Sequence, residues 1–195
     1  MLDIRPAIHF FLFRKKHPHI LQIPTHLTDE EKFALFTITK KTKKQNALVV
    51  EIGAFLGASS CSLAAGLASG AVYCIDTWKN DAMSEGKRDT YSEFIMNTEK
   101  FRHKIVAVRG YSHEAVQTIK SLNKKIDILF VDGDHSYEAV KKDWDLYAPL
   151  LDRGATIIMH DSGWAEGVLQ VIDEEIKPKI TAGRSLQNMW WGVLK

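Results

Sequence analysis

Five apolar runs recur along the chain, ALVVEI (47–52), AVYCID (71–76), IVAVRG (105–110), IDILFV (126–131) and ATIIMH (155–160). They are continuous rather than alternating, which is the pattern of strands buried on both faces. Segments with helical spacing lie between them: ASSCSLAAGLAS, a stretch near Asp89 to Phe101, SHEAVQTIKSL with Ser112 as cap, and SYEAVKKDWDLYAPLL. A further helix, AEGVLQVIDEEI, is expected to stop before Pro178, and NMWWGVL (188–194) reads as a last strand. Strands alternating with helices build a mostly parallel sheet with helices on both faces. The expected fold is therefore an open, doubly wound α/β domain over residues 47–195.

Residues 1–46 read differently. Pro6, Pro18 and Pro24 divide them into short pieces, and Thr28 opens TDEE with Glu31 three residues on, a capping box. A helix from about Asp29 to Thr42 should follow, with Phe33, Leu35 and Phe36 inward. This N-terminal helical extension is expected to pack on the main domain. Its apolar AIHFFLF (7–13) should dock there or on a second subunit, so a homodimer is a reasonable partner state.

Composition excludes several classes. At 45% hydrophobic and 26% charged the chain reads as a soluble globular protein, and a net charge of +2 names no polyanionic partner, so nucleic acid is not expected. The basic runs RKK (14–16) and KKTKK (40–44) read as solvated surface. No apolar run approaches the roughly 18 residues of a membrane span, and AIHFFLF lacks a cleavage site, so no membrane contact and a cytoplasmic location are expected. Cys61 and Cys74 form no CxxC pair and read as small buried residues in a reducing compartment.

In sheets of this class ligands bind beyond the carboxyl ends of the strands. The residues there are chemically distinct: Glu51 with GAFLG, then Asp76, Thr77 and Trp78, then Gly110, Tyr111 and Ser112, then DGDHSY (132–137), then His160, Asp161 and Ser162. Gly53 and Gly57 allow a sharp turn and close approach to a ligand. The helix beginning near Ala58 offers free N–H groups to an anion, with Ser59 or Ser60 adding hydroxyls. Asp76 closes the second strand, where an acid grips ribose hydroxyls in nucleotide-binding sheets. The spacing GxxxG is not the dinucleotide GxGxxG, and a tight turn alone accounts for it equally well. Combined with Glu51 and Asp76 it points to an adenosine-type cofactor.

VEIGAFLGASS (50–60) resembles the first motif of class I S-adenosylmethionine-dependent methyltransferases, in an order close to that of catechol O-methyltransferases. Residues 127–161, DILFVDGDHSYEAVKKDWDLYAPLLDRGATIIMHD, are similar to the macrocin O-methyltransferase and cephalosporin-hydroxylase-like branch. The resemblance covers about residues 47–165 and implies a Rossmann-like domain that binds S-adenosyl-L-methionine. It implies that Gly53, Ala54 and Gly57, with the motif aromatic Phe55 between them, line the methionine part and that Ser59 holds its carboxylate. Asp76 would hold the ribose, with Thr77 and Trp78 bordering the cofactor and Tyr111 and Ser112 near the adenine. Glu51 reads either as a carboxylate near the methionine ammonium or as a structural cap on the turn.

Methyl transfer to oxygen needs alignment and loss of the acceptor's proton, to a base or with help from a metal. Asp132 and Asp161 end neighbouring strands if the fourth and fifth runs pair, and two carboxylates in one space repel unless a cation or proton joins them. The resemblance implies a divalent metal, Mg²⁺ or Mn²⁺, on Asp132, His160 and Asp161. His160 stands where the macrocin branch has an acid, and imidazole, softer than carboxylate, favours Mn²⁺ or Fe²⁺. The alternative is that the two acids only cap loops. At position 135 the resemblance implies the general base, here His135. Asp134 reads as the cap of the next helix. The segment 77–104, with Trp78, Met83, Tyr91, Phe94 and Met96, is expected to form a lid that sets acceptor specificity. The expected function is O-methyl transfer to a small hydroxylated acceptor. The alternatives are a non-catalytic S-adenosylmethionine-binding protein and a nicotinamide-dependent oxidoreductase.

Overall fold

The computed structural model describes residues 5–80, 86 and 88–195. The expected lid falls partly on positions 81–85 and 87, Met83 included, which lie outside the described residues.

Three helices come first: α1 (Arg5–Lys16), α2 (Pro18–Gln22) and α3 (Asp29–Lys41). The alternating body follows as β1 (Ala47–Ile52), α4 (Ala58–Gly66), β2 (Gly70–Asp76), α5 (Tyr91–Thr98), β3 (Ile105–Arg109), α6 (Ser112–Ser121), β4 (Ile126–Val131), α7 (Tyr137–Tyr147) and β5 (Leu151–His160). Then come α8 (Glu166–Val171), which continues as a wider π turn over Ile172–Ile176, β6 (Ile180–Ser185) and β7 (Met189–Leu194). The sheet order is β3-β2-β1-β4-β5-β7-β6. The first five strands are parallel, and β7 runs antiparallel to both β5 and β6. The order reverses between β1 and β4, so a crevice must open at their carboxyl ends.

Side chains of successive strand residues alternate between two cores. Leu48, Val50 and Ile52 face one, covered by Val116 and Ile119 of α6, Trp144 of α7 and Val168 of α8. Ala47 and Val49 face the other, with Leu63 of α4, Phe94 of α5 and Leu35 of α3. Trp190 is buried in the first core.

The N-terminal helices belong to the second core. Thr28 and Glu31 form the capping box at the start of α3. The inward face of α3 differs from the expected one. Glu31, Lys32, Leu35 and Thr39 are buried, while Phe33 and Phe36 are half-buried and pack on Phe13 of α1 at 5.5 and 5.0 Å between ring centroids. Leu35 is fully buried, worth about 2 kcal/mol of transfer free energy. The two helices α3 and α4 approach so closely that a Cβ at Gly66 would lie 2.1 Å from Thr39 Oγ1 and 2.2 Å from the Phe36 carbonyl. On α1, Phe13 is buried, whereas Ile8, Phe11 and Leu12 remain exposed.

Three further differences have physical causes. Strand β5 begins at Leu151, because Asp152, Arg153 and Gly154 imitate a turn while continuing the strand. Strand β6 has no apolar signature: it is an edge strand whose residues after Ile180 are exposed. The cap of α6 is Tyr111 rather than Ser112, whose hydroxyl instead donates to Asp143 Oδ1 at 2.5 Å. Among the described residues, no helix is long and apolar enough to cross a membrane. Cys61 and Cys74 are free and buried, and burial pushes both thiols up, Cys61 to about 12.

Candidate active site

A cavity of about 690 Å³ opens at the carboxyl ends of β1 to β5. The loop after β1 makes one wall. Gly53 has φ +86°, and a Cβ there would lie 1.9 Å from the Asp132 carbonyl at the end of β4. Only glycine serves where the two strand ends meet this closely in a left-handed backbone. Asp76 fastens the same loop: its Oδ2 accepts from the N–H groups of Ala54 and Phe55 at 2.9 and 2.8 Å, and its Oδ1 accepts from Trp78 N–H at 2.7 Å. The acid expected to meet a ribose therefore also shapes the glycine loop.

Among the described residues outside glycine, positive φ falls on Asn46, Asn80 and Asn123, and on Phe55, Trp78 and Asp161. Asparagine tolerates that region; a bulky aromatic there costs on the order of 1–3 kcal/mol and persists only where its surroundings enforce it. The latter three all stand just beyond strand ends.

Most of the expected site residues line the cavity: Gly53, Ala54, Phe55, Gly57, Ser59, Asp76, Thr77, Tyr111, Ser112, Asp132, His135, His160 and Asp161. Glu51 and Trp78 do not: the expectation that Trp78 borders the cofactor is corrected, while Glu51 reads equally as a structural cap. Glu51 is the last residue but one of β1, on the α4 side of the sheet, fully buried, where Ser60 Oγ donates to its Oε2 at 2.5 Å. Its Oε1 has no partner, and burial pushes the carboxyl up to about 7. Of its two readings, the structural one matches this placement. Trp78 is wholly buried and props the loop from behind, its indole N–H donating to the Phe55 carbonyl at 2.9 Å.

The acidic end of the cavity is a tight cluster. His160, buried, holds Nδ1 at 3.0 Å from Asp132 Oδ1 and 3.1 Å from Asp161 Oδ2. Neither oxygen lies along a ring N–H direction, so these are electrostatic contacts rather than aligned hydrogen bonds. His135 Nε2 lies 2.8 Å from the same Asp161 Oδ2, and its ring meets Trp164 edge-on at 5.0 Å. Asp161 Oδ1 accepts from Trp164 Nε1 at 2.7 Å and from Asn188 Nδ2 at 3.0 Å.

Charge balance follows from this crowding. Burial works against a charged ring at His160, but Asp132, Asp161 and Glu31 outweigh it and push the imidazole up to about 12. Burial also opposes ionisation of Asp161, yet His160, Asn188 and Trp164 hold it well below the usual carboxylate range. Asp132 is raised, by burial first and also by Asp161. Carboxylates outnumber the imidazole, and such an anionic surplus suits a divalent cation.

Among the described residues, Asp132, His160 and Asp161 each offer one ligand atom, all within 4.8 Å of one another. The separations of 3.0 and 3.1 Å are those of adjacent ligands around an octahedral ion at about 2.1 Å. The residues fit a metal of that kind.

Several lining residues escaped the strand-end rule. Trp164 and Asn188 hold Asp161, Thr25 and His26 reach in from the N-terminal segment, and buried Asp143 holds Ser112. Each arrives through space, from outside the strand-end stretches. Trp164 alone had a local signal, an aromatic three residues past Asp161.

Comparisons with known proteins bear on the family and the fold. A family model described as a methyltransferase domain matches residues 50–162, more than half of the chain. The chain is 29% identical over 147 residues to an uncharacterised protein of Acanthamoeba polyphaga mimivirus, covering 73% of this chain and 64% of that one. It is 27% identical over 157 residues to an uncharacterised protein of Sinorhizobium fredii, covering 74% of this chain and 17% of the relative. The chain thus spans less than two thirds of each. Among solved structures, an O-methyltransferase from Bacillus cereus in complex with S-adenosylhomocysteine (SAH) superposes with TM-score 0.72 at 17% identity, over 97% of both chains. The MycE methyltransferase of the mycinamycin pathway, in complex with Mg and SAH, superposes with TM-score 0.62 at 13% identity, over 95% of this chain and 54% of that one.

Proposed function

The chain belongs to the methyltransferase-domain family, and from that premise we propose that it is an S-adenosylmethionine-dependent O-methyltransferase acting on a small hydroxylated acceptor, with a divalent metal on Asp132, His160 and Asp161. The observation that carries this is the single cavity shared by the Asp76-fastened glycine loop and the His135–Asp161–His160 cluster. The solved relatives support it: one holds SAH, another Mg and SAH.

In this reading the loop Gly53–Gly57, Ser59 and the first N–H groups of α4 take the methionine end of the donor. Asp76 and Thr77 take the ribose, and Tyr111 and Ser112 border the base. The acceptor oxygen attacks the sulfonium methyl in line, a C–O bond forms, the S–CH₃ bond breaks, and SAH leaves. Alignment supplies most of the rate. A bound Mg²⁺ or Mn²⁺ would supply positive charge that lowers the acceptor hydroxyl's pKa. His135 receives the proton, and Asp161, 2.8 Å from its Nε2, orients the ring and stabilises the imidazolium. Trp164, 61% exposed on the cavity wall, offers the acceptor a flat surface.

A nicotinamide-dependent reading has less support, since the loop lacks the third glycine of the dinucleotide pattern and the fourth strand end is rich in acids. Calorimetry with SAH and with NADH, each with and without Mn²⁺, tests the proposal. SAH should bind and NADH should not; binding of NADH alone overturns it. Transfer of radiolabelled methyl groups to catechols, sugars and small hydroxy acids separates a catalyst from a cofactor sensor.

A further inference from the structure

Glu31 does more than its sequence position requires. A capping-box glutamate needs only to accept from the first residues of its helix, which an exposed side chain does well. Glu31 does this: its Oε2 accepts from Thr28 N–H at 2.8 Å and from Thr28 Oγ1 at 3.0 Å. Yet Glu31 is 2% exposed, and burying a carboxylate is costly unless a partner offsets it. The same Oε2 lies 3.6 Å from His160 Nε2, an electrostatic contact longer than a hydrogen bond, with both side chains buried. The ring thus has a carboxylate on each side, Glu31 at Nε2 and Asp132 with Asp161 at Nδ1.

We propose that Glu31, carried by the N-terminal helix α3, is the positioning residue for His160, taking the Nε2 side of the ring so that Nδ1 faces the metal position between Asp132 and Asp161. The inference rests on the metal reading given above. A ligating imidazole binds through one nitrogen, and a carboxylate on the other fixes which one and raises its basicity. Helix α3 itself is held close against α4, at Gly66 against Phe36 and Thr39. The N-terminal segment is then part of the site, and the body from residue 47 onward lacks one member of it.

The test is an Mn²⁺ titration of the full chain, read from the electron paramagnetic resonance signal of free Mn²⁺. Glu31→Ala should weaken Mn²⁺ binding by about 10–100-fold and Glu31→Gln by about tenfold. Thr28→Ala, which weakens the cap without touching His160, should bind within about twofold of wild type. At saturating Mn²⁺, electron spin-echo modulation from the His160 nitrogen should be strong in wild type and lost or displaced in Glu31→Ala. Glu31→Gln keeps an acceptor for the cap, so it carries the test if Glu31→Ala does not fold. Folded Glu31 variants with wild-type affinity and wild-type nitrogen modulation overturn the inference while leaving the metal reading intact. A Thr28→Ala loss as large as that of Glu31→Gln overturns it too, by placing the effect in the helix end. A wild-type chain that binds no Mn²⁺ removes the metal reading and this inference together.

Discussion

Asp127 and Asp161 are equally hidden, 8% and 7% exposed, at opposite ends of the same parallel sheet. Asp127 lies at the amino end of β4, where its Oδ2 accepts from Leu48 N–H at 2.7 Å and its Oδ1 from Lys44 Nζ at 2.7 Å. Lys44 also reaches Asp152 Oδ2 at 2.5 Å, so at the lower end of the sheet one half-exposed ammonium bridges the two carboxylates where solvent screens them. Asp161 lies past the carboxyl end of β5, in a left-handed backbone, facing a cavity and sharing one imidazole with two further carboxylates. Burial of an acid therefore does not mark a site. Several acids sharing one buried imidazole beside an open volume do, as they stand at the end where the strands finish.

The contrast can be broken by substitution. The largest effect is expected for Asp161→Asn, which preserves the tolerated backbone and removes the charge. Single-turnover methyl transfer should fall by roughly 10³-fold, about 4 kcal/mol of barrier, with the melting temperature nearly unchanged. A variant that unfolds instead would make Asp161 as structural as Asp127. Next in size is Glu51→Gln, read by urea unfolding across pH. The folded Glu51 carboxyl keeps its proton up to about 7, whereas the unfolded chain releases it near the ordinary carboxylate value of 4.5. The wild type therefore loses stability as pH rises from 4.5 through 7, on the order of 3 kcal/mol in all. Glu51→Gln should be the more stable form at pH 8, with the difference vanishing near pH 4.

His135→Gln should lower kcat by about 10²-fold and leave the calorimetric Kd for SAH unchanged, separating proton removal from donor binding. The smallest effect belongs to the lower end. Asp127→Ala leaves Leu48 N–H unpaired in the core, about 2 kcal/mol of stability in urea unfolding, with Mn²⁺ affinity untouched. Loss of Mn²⁺ binding in Asp127→Ala would show that the two ends are coupled.

Much of this was legible in the residues. Strand bodies had to be apolar to be covered on both faces, so the polar residues after them stood out, and those from Asp76, Asp132, His135, His160 and Asp161 do meet in one cavity. What the residues left open or misplaced has separate causes. In a strand buried on both faces, polarity does not reveal which face a side chain takes, so Glu51 stands between two readings, and it points toward α4 instead of the cavity. Trp78, placed beside the cofactor by the resemblance, is turned into the core beside Phe94, 4.7 Å between ring centroids. Edge strand β6 was hidden because an exposed edge needs no apolar residues. Glu31 was legible as a cap but not as a partner of His160, since a contact across 129 positions leaves no local trace.

The missing Cβ at Gly53 has a practical corollary for anyone reshaping this protein. Because that position wedges directly against the Asp132 carbonyl, a side chain introduced there would prise donor loop and acceptor floor apart in one stroke. Libraries meant to retune substrate choice should hold this residue constant and spread their diversity around Trp164 and His26, which line the same chamber.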